Sequence, residues 1–206
     1  MNTAALREQI QTAQQHEKDT GLLTRQLESK LPHLHPAIQL PEADAQGVLT
    51  RFVAAYIDEV PDLLDAANEV AREAGIESQI KPVLRIAEQY FLQPPAIMAG
   101  HVGLDSLLDE AYLAHRFVEE VNDLYIKHFG QPLIPLDMTV ANLIAHQLIG
   151  EEFANQLDEA VHHAIDEMLN EESFALESVE AYREKLSSPD TGAAWKRWPS
   201  MSRRLG

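Results

Sequence analysis

Apolar residues recur at three- and four-residue steps through almost the whole of this chain, and runs of β-branched residues bounded by turn signals are scarce. A strand half-buried in a sheet repeats every two residues, so the pattern predicts an all-α fold. The expectation is a single-domain helical bundle of about six helices, mostly antiparallel. With 206 residues, 45% of them apolar and 24% charged, the chain is long enough to enclose one core.

Glycine and proline punctuate the pattern. The first predicted helix covers residues 3–31, with Leu6, Ile10, Ala13, Thr20, Leu23 and Leu27 near one face, Gly21 as a weak point and Pro32 as its stop. A second helical region, residues 42–74, carries Val48, Phe52, Ala55, Tyr56, Leu63 and Ala66 on its stripe, and Pro61 is expected to kink or split it. A shorter helix at 82–92 leads into an apolar loop, 93–103, suited to packing across the bundle and lining a pocket. The fourth helix, 104–129, is closed by Gly130 and Pro132. A fifth is expected from Asp137 or Thr139 to Leu169, and a sixth over 173–186. Residues 1–192 then form the bundle, and residues 193–206 a basic, aromatic tail with Trp195, Lys196, Arg197 and Trp198.

Charge and inventory exclude several classes of function. Thirty-three acidic residues against 16 basic ones give a net charge of −17 with the nine histidines neutral, which repels nucleic-acid phosphates and anionic lipid. No nucleic-acid and no membrane partner is expected, whereas basic proteins, cationic ligands and metal ions are compatible. The chain has no cysteine, which removes disulfides, thiolate nucleophiles, iron–sulfur clusters and cysteine zinc sites. No secretory core and no run of eighteen apolar residues is visible, so the default expectation is a soluble, cytoplasmic protein. Alanine-rich helix faces make a homodimer compatible with the sequence.

The candidate chemistry lies where polar residues interrupt apolar stripes. On the fourth predicted helix the stripe of Leu104, Leu108, Ala111, Val118, Tyr125, Ile126 and Phe129 also contains His115, Glu119 and Asn122, with His115 and Glu119 one turn apart. On the fifth, projected as one continuous helix, His146 lies within the stripe of Leu143, Ile149, Gly150, Phe153 and Leu157. Glu59 sits between Tyr56 and Leu63, just before Pro61. A buried carboxylate must be neutralised, paired or metal-bound. Two carboxylates and two imidazoles on facing helices are ligand types that suit Fe, Mn or Zn. Glu59, His115, Glu119 and His146 are therefore the candidate metal ligands, Asn122 a candidate polar contact to a bound group, and His101 the candidate at the pocket mouth.

The only Glu-x-x-His, Glu159 to His162, faces away from its helix's stripe, so the pattern of ferritin-like di-iron bundles is not met. His33 and His35 have metal-site spacing but no visible third ligand. No serine nucleophile elbow, Walker lysine motif, phosphate loop or His-Glu-x-x-His occurs. Two functions remain open. One is a metal-binding bundle that acts on a small molecule. The other is an acidic helical interaction or regulatory protein with a basic protein partner, in which the core His/Glu cluster is purely structural.

Overall fold

A computed structural model describes residues 3–36, 38–41, 43–74, 76–98, 103–169, 180, 182–185 and 187. They form an all-α bundle. The helices are α1 (Thr3–Thr20), α2 (Leu22–Lys30), α3 (Ala45–Ala74), α4 (Glu77–Leu92), α5 (Gly103–Phe129), α6 (Thr139–Ile149) and α7 (Glu151–Met168), with a further helical stretch at 182–185. Two single 3-10 turns, Leu31–His33 and Ala96–Met98, join them. No strand occurs among the described residues.

The bundle exceeds the expected six helices because two of the predicted helices are each divided at a glycine. At Gly21 the chain turns, and the Glu17 side chain bridges the break by accepting from the Leu23 amide at 2.8 Å, the Thr24 amide at 3.0 Å and the Thr24 hydroxyl at 2.8 Å. Partial burial raises the pKa of that carboxyl, but these donors outweigh burial and leave it below its ordinary value. Gly150 sits at φ 108°, a left-handed-side conformation open to glycine, and separates α6 from α7. Lys30 at the end of α2 donates its ammonium to the Leu148 and Ile149 carbonyls that the end of α6 leaves over.

The division at Gly150 corrects the predicted stripe. A residue that turns the chain resets the helical phase, so α6 buries Ala141, Asn142, Ala145 and Leu148 while Leu143, expected inside, is 64% exposed beside Val140 at 65%. α7 buries Ala154, Leu157, Val161 and Ile165. Pro61 does not split the second helical region, since α3 runs through it. Proline deprives only the Ile57 carbonyl of its helical donor, and Ile57, Val60 and Leu64 are packed without exposure on either side. α4 begins at Glu77, five residues before the predicted start.

At the centre stands α5, which packs against α1, α3, α4, α6 and α7. Between Leu107 and Val118 every side chain but Arg116 is buried, including Asp109, Glu110 and His115. A helix buried on all sides has no solvent face on which to place polar residues, so each polar group on it needs a partner inside the bundle. Among the described residues no helix is long and apolar enough to cross a membrane.

Candidate functional site

Arg116 is the hub of the polar interior. It is 17% exposed, and its Nε donates to Asp158 Oδ1 of α7 at 3.0 Å, one terminal nitrogen to Glu119 Oε2 at 2.5 Å and the other to Glu120 Oε1 at 2.6 Å. Three carboxylates thus share one guanidinium, each taking a different direction of its planar fork. Burial alone would favour loss of the proton, but the bonds from Asp158 and Glu119 reverse that and fix the positive charge. The Tyr112 hydroxyl donates to Asp158 at 3.0 Å.

The network continues across α6 into α3. Asn142 Nδ2 donates to the same Glu119 Oε2 at 2.7 Å, and the Tyr56 hydroxyl donates to Asn142 Oδ1 at 2.6 Å. The buried Tyr56 phenol is held well above its ordinary pKa, first by burial, so it remains a donor. The His115 ring lies against that phenol, with centroids 4.5 Å apart, and its Nε2 donates to the Tyr56 backbone carbonyl at 3.0 Å. That bond places the proton on Nε2 and leaves Nδ1 buried without a hydrogen-bond partner among the described residues.

His115 is 0% exposed, and burial pulls its pKa down to about 4 against the weaker opposing effects of the Tyr56 carbonyl and Glu119. The folded imidazole therefore stays neutral where the unfolded one gains a proton. Stability supplied by this neutral group is complete above about pH 6.5 and is lost as pH falls toward 4. A His115→Gln variant, which keeps a donor for Tyr56, should lose less stability than wild type between pH 7 and 4.5, by roughly 2 kcal/mol at the acid end. Urea titrations across that range check this, and parallel pH curves for the two proteins would contradict it.

The remaining predicted residues lie in different surroundings. Asn122 is buried, but both ends of its amide bind the backbone of one residue: Nδ2 donates to the Ile134 carbonyl at 2.7 Å and the Ile134 amide donates to Oδ1 at 2.9 Å. His146 is half-buried, with Nε2 3.2 Å from Asn155 Oδ1 across the Gly150 break and its ring edge-on to Tyr112 at 6.1 Å. Glu59 is half-buried on α3. His101 lies outside the described residues, as do most of the predicted sixth helix and the tail of residues 193–206. His33 and His35 are exposed.

The structure thus joins His115 and Glu119 through Tyr56 and Asn142, and leaves Asn122 and His146 to partners of their own. Among the described residues no three of His, Asp and Glu are grouped so as to hold a metal ion. Arg116 supplies the positive charge that Glu119, Glu120 and Asp158 require. Sequence reasoning missed Arg116, Tyr112, Asn142 and Asp158. The available signal was Arg116 next to His115 on a helix that is apolar on every side nearby.

No family model, no curated protein and no solved structure matches the chain. Its function has to be read from its own residues.

Proposed function

We propose that this is an acidic helical interaction protein that binds a basic protein partner, and that its His115–Glu119 cluster ties helices together instead of reacting. The observation that carries this reading is the outer face of α7, where Glu151, Glu152, Glu159, Asp166 and Glu167 are exposed on a helix with no lysine or arginine. Inside the bundle each network carboxylate has Arg116, whereas this outer row faces solvent with only histidines among it, His163 lying 3.4 Å from Glu167. Exposed aliphatic side chains precede the row on α6, at Val140 and Leu143. An acidic surface next to aliphatic contacts suits a partner helix or loop with basic and apolar residues, and the net charge of −17 steers such a partner inward.

The test is charge reversal on the outer face. Purified wild-type protein on a resin should retain basic proteins in a salt-dependent way, with binding falling about tenfold between roughly 50 and 300 mM salt. Cross-links should map to α7, and Glu151→Lys combined with Glu152→Lys and Glu159→Lys should abolish the retention. If the reversed protein retains the same partners equally well, the reading is wrong.

A further inference from the structure

A groove of about 780 Å³ runs between α1 and the first turns of α5. Its floor carries Glu110, only 3% exposed, and its walls are largely apolar, with Ala5, Ala13 and Leu107. The volume falls in the range of small-molecule sites. No lysine or arginine among the described residues lines it. Among the described residues the groups that hydrogen-bond the Glu110 carboxyl are neutral: Ser106 Oγ donates to Oε1 at 3.2 Å and Gln9 Nε2 to Oε2 at 3.3 Å, both long bonds. Glu110 therefore differs from Glu119, Glu120 and Asp158, which all share a guanidinium.

We propose that this groove binds a small organic amine, whose ammonium group pairs with the Glu110 carboxylate while its apolar body lies on Ala13 and Leu107. Glu8 at the rim adds a second negative charge on the α1 side, and His16 marks the far end. There Gly103 comes so close that an added Cβ would stand 3.2 Å from the His16 ring. An anionic ligand would gain no cation in the groove and would meet the Glu8 carboxyl at the rim of a protein of net charge −17, and is disfavoured. A neutral apolar ligand would fill the walls but leave the buried carboxyl with its two long bonds.

The protonation of Glu110 supplies a second readout. Burial pushes its carboxyl up to about 8, opposed by the Ser106 hydrogen bond and reinforced by Asp109, the next acid along α5. Glu8 and His16 are the other titratable groups lining the groove. The empty site therefore holds a proton at neutral pH, and an ammonium seated against Glu110 displaces it. Binding should release close to one proton per amine at pH 7, seen as a dependence of the calorimetric heat on the ionisation enthalpy of the buffer.

The probe is phenethylamine, with 2-phenylethanol and phenylacetate as counterparts of similar size bearing a neutral and an anionic head. Phenethylamine should shift amide resonances of residues 5–16 and 103–110 saturably, and the other two should bind at least about tenfold more weakly. Glu110→Gln, which keeps the shape and removes a buried ionisable group, should weaken phenethylamine about tenfold and abolish proton release. Thr12→Phe, placed on the exposed rim, should block the groove with the Glu110 carboxyl intact. Equal binding of amine and alcohol, or an unchanged Glu110→Gln protein, would overturn the assignment. Shifts confined to α7 would do the same. The α7 charge-reversed protein should bind phenethylamine as wild type does, so the groove and the partner surface stand or fall separately.

Discussion

Arg116→Met is expected to destabilise the fold by about 3 kcal/mol, measured as the change in unfolding free energy by urea titration at pH 7. A surface ion pair contributes far less, about 0–1 kcal/mol. Here one side chain, mostly buried, neutralises carboxylates at 2.5, 2.6 and 3.0 Å. Removing it leaves Glu119, Glu120 and Asp158 close together without a cation, each with restricted access to water. Arg116→Lys should still lose about 1–2 kcal/mol, because a single ammonium cannot reach three carboxylates along three directions. Adding Glu119→Gln and Asp158→Asn to Arg116→Met should recover at least half of the loss, since the penalty arises from unpaired charge. A loss below about 0.5 kcal/mol for Arg116→Met would show that water, not the guanidinium, solvates these carboxylates.

Asn122→Ala should cost about 1–3 kcal/mol, because it strands the amide of Ile134, a residue with no exposure, while the Ile134 carbonyl keeps the Leu136 amide as a donor at 2.7 Å. Asn122 acts here as a side-chain stand-in for a neighbouring strand, offering one donor and one acceptor to the backbone of a single residue in the connection between α5 and α6. Asn122→Asp keeps the acceptor for the Ile134 amide but turns an oxygen toward the Ile134 carbonyl, so it should be no better than alanine near neutral pH. Hydrogen exchange gives a local readout: the Ile134 amide should be protected in wild type and exchange with the surrounding loop in both variants. A protected Ile134 amide in Asn122→Ala would show that its partner lies elsewhere.

How far the sequence revealed this architecture depended on which residues interrupt the helical period. The all-α class followed from periodicity alone, and Phe129 and Gly130 marked the end of α5 correctly, because a glycine cap followed by proline has little other use. Gly150 was not recognised as a break. It stands between Leu148, Ile149 and Phe153 in a stretch whose apolar content continues smoothly, so a single 100° projection carried the phase of α7 into α6 and put Leu143 inside. At Pro61 the split, one of the two outcomes expected there, does not occur, since the local preference to break a helix lost to packing on both sides.

The candidate cluster was visible as polar residues on apolar stripes, and His115 and Asn122 are buried as that pattern required. Their partners were not visible. An arginine beside a buried histidine reads as a surface residue when one face of the helix is assumed to be wet, and α5 has no such face over these turns. Glu110 escaped for the same reason. Whether a buried acid is matched by a cation, by amides or by nothing charged is decided by the helices that come to lie against it, and those contacts span 101 residues for Gln9 and 42 for Asp158.

The position of α5 also bears on how the chain comes together as it is made. A polypeptide emerges from the ribosome amino end first, and domains form as units once their contacts exist. α1, α3 and α4 all pack against α5, whose last residue is Phe129. Until that point has left the exit tunnel, Leu6, Ile10, Tyr56 and Phe91 have no completed interior to enter, although each is fully or almost fully enclosed in the finished protein. The nascent chain must therefore carry α1, α3 and α4 as sticky, incomplete surfaces until α5 has emerged, the interval in which a holding chaperone has most to offer it.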